Sequence, residues 1–553
     1  MRALLFIVFS VAMAHGQATI DFTQSGVEGG IPYYPNAVNV VTDYSADNTG
    51  ATDSYSAITN AIAHCTNRGA VFFPAGTYYS SKQISLSYTQ QITLRGAGPL
   101  LTMFISGHGS SSPKGGINFM GEVNANEPTI SSGYTAGSFT LVVSSGSGLA
   151  SNHLAQVRQS NDPSNIYGSI SGSTHWQRQM ARITNVSGTT VMLNRPLFQN
   201  YSNSYTPTLT AFSRPITFSG IEEMTVKMTN SASFNGIWFY LSHNCWATNV
   251  TVTNSVYSNI RINQSARTSI VGCTTRNHQA YDSTSRYGIE MVEFTTDSLI
   301  QDNIVQGNNL AISMEQGCSG NVIAYNFSNK GFSSSFPAYG GNVYGGLSSH
   351  GDFCHHNLFE GNVAPWISTD EYWGVNTTNT IHRNWLTRYV EFSPTNGAHW
   401  SSQGTTALYI DATNYQMQVT GNIIGHPRDS LITNGNVWLV GFARRQGNDF
   451  GDTAWDTITT NTLTKTGNFD WSTNGTYWVG GSPTTLSNSY YLASKPGWFG
   501  TLAWPPIGPD VSTADSMTNS AIIPAQARWL DQNYTTAPDP YTVIGRKLKR
   551  VKR

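Results

Sequence analysis

The sequence predicts an all-β chain that winds as a right-handed parallel β-helix, with an N-terminal capping helix and a small antiparallel β insertion. The main observation is an asparagine that recurs through the middle of the chain. It occupies five positions spaced by 23, 36, 22 and 38 residues: Asn303, Asn326, Asn362, Asn384 and Asn422. A repeat of 22 to 23 residues, with one insertion in each long gap, is a solenoid period.

The residues before these asparagines favour strands over helices. Apolar residues alternate or cluster over four to six positions, as in 288–292, 311–315 and 408–411, which is the pattern of a short β-strand. Asparagine also suits the bends, because it tolerates left-handed backbone angles and its amide can hydrogen-bond to the same residue one coil away. Each repeat therefore predicts one coil of a β-helix.

The chain divides into five predicted segments. Met1-Arg2 and the apolar residues that follow have the layout of a secretory signal peptide, residues 1–17, and no later apolar stretch is long enough to span a bilayer. We therefore expect a secreted protein, extracellular or periplasmic. The remaining segments are an N-terminal cap with the first coils (18–127), the β insertion (128–210), the central coils (211–470) and an irregular C-terminal segment with a basic tail (471–553).

Composition argues against one class of partner. Only 11% of residues are charged and the net charge is −1, whereas nucleic-acid binding needs a basic face. Cys318 and Cys354 both lie eight residues before a recurring asparagine. They are therefore predicted to stack on neighbouring coils, either as a disulfide or as two buried thiols. The sequence indicates no oligomeric state.

The N-terminal part carries an ordered motif. Asp53 can cap a helix whose apolar residues share one face, and such a helix can cover the open end of a solenoid. The motif consists of Val41-Thr42-Asp43-Tyr44-Ser45-Ala46-Asp47, Gly50-Ala51-Thr52-Asp53, Ala57-Ile58, Ala61-Ile62 and Gly69-Ala70-Val71-Phe72-Phe73-Pro74-Ala75-Gly76-Thr77-Tyr78. Over residues 41–98 this order resembles the pectate-lyase-like superfamily, in its rhamnogalacturonase and epimerase branch. It departs at Ala46-Asp47-Asn48, where that branch usually has Gly-Asp-Gly. The resemblance implies the fold and says little about the reaction.

Strand alternation selects the candidate site residues. Ile289 and Met291 are predicted to face inward, which leaves Glu290 facing outward. The same alternation leaves other polar residues on that face over successive coils, namely Glu315, His350, Asp370, Tyr372, Tyr409 and Asp411.

The spacing of two glutamates indicates a chemistry. Glu290 and Glu315 are predicted one coil apart and offset by two residues, so their carboxyl groups would lie about 8 Å apart. In a window of about 6.5 to 9.5 Å, one carboxylic acid can protonate a glycosidic oxygen while another carboxylate activates water. The alternative is that these acids only solubilise an exposed sheet.

A second cluster lies in residues 348–357. Its histidines can shuttle protons, clamp a substrate or bind a metal. His350 and Asp352 are predicted on one strand face, where the carboxylate would orient the imidazole as a base. His355 and His356 are adjacent and would point to opposite faces of a strand, which argues against a zinc site. The predicted catalytic residues are Glu290, Glu315, His350, Asp352 and Asp370.

The predicted substrate-binding residues lie on or beside the same face. Insertions at 330–346 and 388–404 carry aromatic residues, which can stack on the apolar faces of sugar rings. The full set is Arg286, Lys330, Tyr372, Arg383, Trp400, Tyr409 and Asp411.

These patterns favour a secreted enzyme that cleaves a polysaccharide by hydrolysis. Glu315 is the predicted acid, Glu290 or Asp370 the base, and His350 positions the sugar. The Asn-Thr-Asp and Arg-x-Lys motifs of polygalacturonase-type hydrolases are absent from the central coils, so the catalytic residues of those enzymes are not assigned here.

Two other functions stay open. Lyases of the superfamily that the motif resembles typically use an Arg or Lys base, with acids that hold Ca²⁺ against a uronate carboxylate. The residues that could serve as base are Arg286, Lys330, Arg383 and Arg388, and those that could bind Ca²⁺ are Glu290, Glu293, Glu315 and Asp352. The third function is a non-catalytic glycan-binding surface protein.

Overall fold

The structure is a computed structural model that describes residues 20–533, except 164–173, 231–232, 280–285, 329–344, 372–373, 389, 392–399, 402–405, 426–436, 443–454, 482–483 and 512–521. The predicted signal peptide, the basic tail and much of both aromatic insertions therefore lie outside the described residues.

The chain forms a parallel β-helix, as predicted. One long sheet carries the candidate site and is called the site sheet; each of its strands pairs in parallel with the next along the chain. In the described residues these strands are Ile84–Ser87, Ser110–Met120, Ser233–Tyr240, Ser258–Asn263, Tyr287–Val292, Ile312–Met314, Leu347–Ser349, Ile367–Thr369, Leu408–Asp411 and Trp438–Phe442.

A second long sheet runs beside the site sheet. Its described strands are Asn36–Asn39, Thr49–Asp53, Ala70–Phe73, Gly76–Ser80, Thr93–Gly96, Thr102–Ser106, Gly220–Met228, Trp246–Ser255, Ser269–Val271, Thr274–His278, Leu299–Gln301, Ile304–Gln306, Val322–Ala324, Leu358–Glu360, Thr380–His382, Gln418–Thr420 and Thr464–Thr466. Shorter strands are Val363–Ala364, Trp385–Leu386, Ile423–Ile424, Asn468–Asp470, Gly475–Tyr477, Ile216–Thr217, Ser242–His243, Asn376–Thr377, Asn414–Tyr415, Val390–Glu391 and Trp400–Ser401.

The interior between the sheets is apolar. Side chains that point inward from the site sheet, such as Ile289, Met291 and Ile312, are at most 1% exposed. They belong to one core cluster that includes residues from Val40 to Val437. Burial of these side chains on successive coils is the main stabilising contribution, at about 25 cal/mol per Å² of apolar surface.

The recurring asparagines form a hydrogen-bonded ladder, as predicted. Each side-chain amide donates to the side-chain oxygen of the next asparagine, over 2.9, 3.0, 2.9 and 3.0 Å from Asn303 to Asn422. The ladder continues to Asn468 over 2.8 Å. A second, shorter ladder joins Asn321, Asn357 and Asn379. These buried amides satisfy backbone groups at the bends, because each also donates to a carbonyl of the preceding coil, such as Asn362 to Ile323 at 2.8 Å.

The described residues include three α-helices: Tyr55–His64, Thr457–Thr462 and Pro524–Asn533. Four short 3₁₀ helices span Phe22–Gln24, Asn203–Tyr205, Val479–Gly481 and Gly497–Phe499. At the start of the first α-helix, the Asp53 carboxylate accepts the backbone N–H of Tyr55 at 3.0 Å. Ile58, Ala61 and Ile62 of this helix are buried in the core cluster. That the helix closes the end of the solenoid remains a prediction.

The predicted antiparallel insertion is present. Its seven described strands form one sheet and are Glu122–Asn126, Ile130–Ser132, Thr140–Val143, Leu154–Arg158, Arg178–Ser187, Thr190–Leu193 and Thr208–Arg214. A buried ion pair between Arg195 and Asp297, 2.8 Å long, ties the insertion to a bend of the β-helix. Trp176 and Met180 pack there against Phe294 and Phe353, beside the carboxyl ends of the site-sheet strands.

Cys318 and Cys354 are both buried free thiols. Of the two arrangements that the sequence left open, the structure therefore has the thiols. Among the described helices, none is long and apolar enough to cross a lipid bilayer.

Candidate functional site

The candidate site lies on the outer face of the site sheet, where polar side chains occupy two adjacent rows. In the first row, strand pairing aligns Arg261 with Glu290, Glu290 with Ser313, and Ser313 with Ser348. In the second row, Glu315, His350 and Asp370 each follow mutually paired residues on consecutive coils. The inward neighbours Ile289 and Met314 are buried, so alternation directs the polar residues to the opposite face.

Glu290 is a buried carboxyl group with two charge-assisted partners. Its Oε2 accepts a hydrogen bond from the Ser258 hydroxyl at 2.5 Å and from Arg261 Nη1 at 2.9 Å. The residue has no exposed surface. Burial raises the pKa of Glu290 to about 7, and the nearby Glu315 carboxyl adds to the rise, while Arg261 and Ser258 oppose it.

Glu315 lies one coil further and remains partly exposed. The Ser313 hydroxyl donates to its Oε1 at 3.2 Å. Burial raises the pKa of Glu315 and the negative charge of Asp370 adds to the rise, whereas His350 and Arg261 lower it. A carboxyl group with a raised pKa keeps its proton nearer to neutral pH, as a general acid requires.

His350 and Asp370 form a pair across two adjacent coils. The imidazole Nδ1 lies 2.6 Å from Asp370 Oδ2, and the two side chains are 23% and 13% exposed. The Ser348 hydroxyl donates to the same Asp370 oxygen at 3.4 Å. This contact fixes which imidazole nitrogen faces the carboxylate.

The registers set the separations of the acids. Glu290 and Glu315 are one coil apart and offset by two residues, as predicted, which corresponds to about 8 Å. Glu315 and Asp370 share one row with His350 between them, so their backbones are two coil spacings, about 9 to 10 Å, apart. The window for inverting hydrolysis is about 6.5 to 9.5 Å. The separation of Glu290 and Glu315 falls within it, and that of Glu315 and Asp370 falls at its upper edge.

The structure corrects the predicted His350–Asp352 pair. The carboxylate that meets the His350 imidazole is Asp370, on the next coil. Asp352 is fully buried in the turn after the strand, because the strand ends at Ser349 and alternation no longer applies beyond it.

The same early strand end overturns the expectation for the other two histidines. His355 and His356 do not point to opposite faces: their Nδ1 atoms lie 2.8 Å apart. Both are buried against Phe198 of the insertion, with ring centroids 6.5 and 6.0 Å from it. Burial lowers the pKa of His355 to about 4. These residues belong to the packing of the insertion and not to the outer face of the site sheet.

Arg383 is likewise a structural residue, contrary to the predicted role in substrate binding. It follows a strand of the second sheet, and its guanidinium binds Asp510 at 2.7 and 2.8 Å and the Ile507 carbonyl at 2.9 Å. The side chain is therefore committed to holding the C-terminal segment against the coils.

The remaining predicted substrate-binding residues have different outcomes. Tyr409 continues the first row of the site sheet, paired with Ser368, and its hydroxyl accepts the Thr406 N–H at 3.1 Å. Arg286 is buried directly before the strand Tyr287–Val292, and Asp411 is buried at the end of the strand Leu408–Asp411. Their roles remain predictions. Lys330, Tyr372 and the side chain of Trp400 lie outside the described residues.

Sequence reasoning missed Arg261, Ser258 and Tyr257. Arg261 lies between the buried Ile260 and Ile262, so the alternation used for Glu290 would have found it one coil earlier. Its guanidinium also lies over the Tyr257 ring, 5.2 Å from the centroid. Ser258 carried no signal, because it stands at the first position of its strand, where the alternation is not yet established.

The described acids do not gather into the calcium site that the lyase alternative would use. Within the described part of the chain, no three His, Cys, Asp or Glu side chains gather as metal ligands. One Glu290 oxygen is held by Ser258 and Arg261, and Glu293 Oε2 accepts from Gln264 at 2.5 Å. These carboxylates therefore face protein donors and not a common centre.

Comparison with protein families gives a match at the N-terminal end. Residues 37–132 match the family described as rhamnogalacturonase A/epimerase, pectate lyase-like. The match confirms the resemblance drawn from the ordered motif. It covers the first coils and the start of the insertion, and it does not reach Glu290 or the other site residues. No curated protein sequence matches the chain.

Solved structures with a similar fold include phage tailspikes. The Gp54 tailspike of Acinetobacter baumannii bacteriophage AP22, solved with a capsular saccharide, has a TM-score of 0.51 and 11% identity; the alignment covers 70% of this chain and 58% of the tailspike. The tailspike gp49 of Pseudomonas phage LKA1 has a TM-score of 0.48, 13% identity and coverages of 72% and 77%. The A-module of the Azotobacter vinelandii mannuronan C-5 epimerase AlgE4 has a TM-score of 0.34, 12% identity and coverages of 70% and 89%. This chain thus spans little more than half of the first tailspike, and the likeness concerns the fold.

Proposed function

We propose that this protein is a secreted carbohydrate-active enzyme that cleaves a polysaccharide by inverting hydrolysis. The observation that carries the proposal is the row of Glu315, His350 and Asp370 beside Glu290 on one outer face. A row of carboxyl groups at these separations supplies both an acid and a base to one glycosidic bond.

Glu315 is the proposed general acid. Its pKa is raised by burial and by Asp370, so it holds a proton to give to the leaving oxygen. The side chain is partly exposed, which lets a substrate reach it. General acid catalysis of this kind contributes roughly 10²- to 10⁴-fold in rate.

Asp370 is the proposed base, in preference to Glu290. A base must reach a water molecule on the far side of the sugar ring, and Asp370 keeps 13% of its side chain exposed while Glu290 has none. His350 holds Asp370 through the 2.6 Å contact and is proposed to position the sugar. Glu290 and Arg261 would then set the electrostatic potential around the carboxyl group of Glu315.

A neutral glycan fits this face better than an acidic one. Three carboxyl groups, those of Glu290, Glu315 and Asp370, line the two rows, and Arg261 already pairs with Glu290. The two basic side chains of these rows, Arg261 and His350, are already paired with Glu290 and Asp370, so neither is committed to balancing a uronate carboxylate. That a structurally similar tailspike was solved with a capsular saccharide is compatible with a polysaccharide ligand.

The test is a panel of neutral and acidic polysaccharides incubated with the purified protein, with reducing ends and ultraviolet absorbance recorded together. Hydrolysis predicts new reducing ends without new absorbance, on a neutral glycan. New absorbance would indicate an unsaturated product and hence a lyase. Retention of a glycan without new reducing ends would indicate a binding protein. The Glu315→Gln variant serves as the matched catalytic control.

A further inference from the structure

Four buried polar atoms on three successive coils have no hydrogen-bond partner among the described residues. They are Trp238 Nε1, Arg261 Nε, Asn263 Oδ1 and Glu290 Oε1. Strand pairing aligns Trp238 with Arg261 and Arg261 with Glu290, so these three share one outward row. Asn263 stands two residues after Arg261 on the same strand, and alternation directs it to the same face.

Such a row is unusual, because buried polar groups in native proteins are nearly always paired and a lone one is costly. The four atoms here include two N–H donors, one amide oxygen and one carboxyl oxygen. They are concentrated on one face, with the donors on the first two of these coils and the acceptors on the second and third. A ligand that both donates and accepts along its length would satisfy them, and the hydroxyl groups of a glycan have this property.

Aromatic side chains flank the row on both sides. The Trp238 and Tyr240 rings stack at 5.0 Å between centroids, and Tyr240 is partly exposed. At the other end of the strands, Phe234 stacks on Tyr257 at 4.3 Å, and both are partly exposed. Aromatic faces of this kind suit the apolar faces of sugar rings.

We propose that Trp238, Tyr240 and Asn263 form a sugar-binding subsite on the N-terminal side of Glu315, with Arg261 shared between this subsite and Glu290. This inference rests on the proposed function and extends it. Asn263 lies two coils before Glu315, and Trp238 and Tyr240 lie three coils before it. The subsite is therefore about 10 to 15 Å from Glu315 along the β-helix axis. A second sugar residue of the same chain would bind there, and the preferred substrate is an oligosaccharide or polymer.

Two variants test the subsite without touching the proposed acid or base. Asn263→Ala removes an acceptor that has no partner among the residues that the structure describes, so the melting temperature of this variant should stay at the wild-type value. Tyr240→Ala removes the exposed face of the aromatic stack, and Tyr240→Phe keeps that face. Tyr477→Ala is the matched control, since Tyr477 is 52% exposed and lies near the C-terminal end of the β-helix.

The probes are dextran, β-glucan, xylan and mannan, each assayed as polymer and as short oligosaccharides. On the cleaved polymer, we expect Asn263→Ala and Tyr240→Ala to raise KM about tenfold each with little change in kcat, as loss of one hydrogen bond or stacking contact implies. Tyr240→Phe and Tyr477→Ala should behave as wild type. The shortest substrates that cannot reach the subsite should be unaffected.

Binding is measured separately, by affinity electrophoresis of the Glu315→Gln background in gels that contain each polymer. If Asn263→Ala and Tyr240→Ala weaken the retention, the subsite is supported even when no polymer is cleaved. In that case only the proposed hydrolysis is wrong. If the wild type cleaves a polymer and both variants keep the wild-type KM and retention, the subsite is wrong and the proposed function stands. If the wild type neither cleaves nor retains any polymer of the panel, both proposals fail.

Discussion

His350 and Asp370 meet at 2.6 Å although they are 20 residues apart in the chain. The contact arises because Leu347–Ser349 and Ile367–Thr369 are neighbouring strands of the site sheet, in which Ser349 pairs with Thr369. His350 and Asp370 directly follow these paired residues, so they project from the same face of adjacent coils. The site as a whole has this character: each of its groups is brought to the next by the winding of the β-helix.

Glu315→Gln is expected to abolish most of the turnover. The glutamine keeps the shape and the hydrogen bond from Ser313 but cannot give a proton, so kcat should fall by roughly 10²- to 10⁴-fold. Reducing-end assays on the cleaved glycan measure the loss. Glu122→Gln is the control, because Glu122 is 52% exposed on the insertion, and it should retain wild-type turnover. Unchanged turnover in Glu315→Gln would exclude Glu315 as the acid.

Asp370→Asn and His350→Asn separate the base from the residue that positions it. The loss of the carboxylate should lower kcat by roughly 10²- to 10⁴-fold, since no base remains to activate water. His350→Asn should act mainly on KM, because the imidazole is proposed to contact the sugar. Asp43→Asn, at an exposed carboxylate, serves as the control. If both variants raised KM and left kcat unchanged, Asp370 would not be the base.

Much of the fold could be predicted because its signals are periodic. The asparagine spacing predicted the coil, and alternation around Ile289 and Met291 correctly placed Glu290 on the outer face and Glu315 two positions further on the next coil. This worked because in a parallel sheet the side-chain period is two and the register is fixed by inward apolar residues.

Prediction failed where periodicity ends. The strand Leu347–Ser349 is three residues long, and Asp352, His355 and His356 lie beyond it in a turn, whose geometry no alternation describes. Arg383 was misassigned for another reason: its partner Asp510 lies 127 residues away. Packing of a distant segment onto a coil leaves no local pattern in the sequence.

The pH dependence of stability should carry a signature of Glu290. Its pKa rises from an ordinary value of 4.5 to about 7 in the folded chain, so folding favours the protonated form. The resulting stability is fully present below pH 4.5, and it is lost as pH rises through about 7. The shift corresponds to on the order of 3 kcal/mol between these limits.

Glu290→Gln removes this titration. Chemical denaturation at pH 4 and pH 8 should show that the variant loses less stability with rising pH than the wild type does. Carboxyl groups far from Glu290 titrate equally in both proteins, so the difference reports Glu290 together with its coupling to Glu315. An identical pH dependence in both proteins would mean that Glu290 does not titrate in this range.

The asparagine ladder should contribute strongly to stability. Asn362→Ala removes the amide that donates to Asn384 at 2.9 Å and to the Ile323 carbonyl at 2.8 Å, and the oxygen that accepts from Asn326 at 3.0 Å. Each stranded buried group costs about 1 to 3 kcal/mol. Denaturant unfolding should show that Asn362→Ala lowers the free energy of unfolding by the sum of several such costs. The control Asn60→Ala, at an exposed position of the first helix, should leave the free energy of unfolding nearly unchanged. Equal stabilities would show that the ladder is dispensable.

The central claim is that Glu315 and Asp370 act as acid and base across one glycosidic bond without a covalent intermediate. Time-resolved proton NMR of the first product released from the cleaved glycan tests it most directly, because it reads the anomeric configuration before mutarotation. The separation of about 9 to 10 Å between the two positions predicts inversion. A product with retained configuration, or one with a ring double bond, would contradict the account.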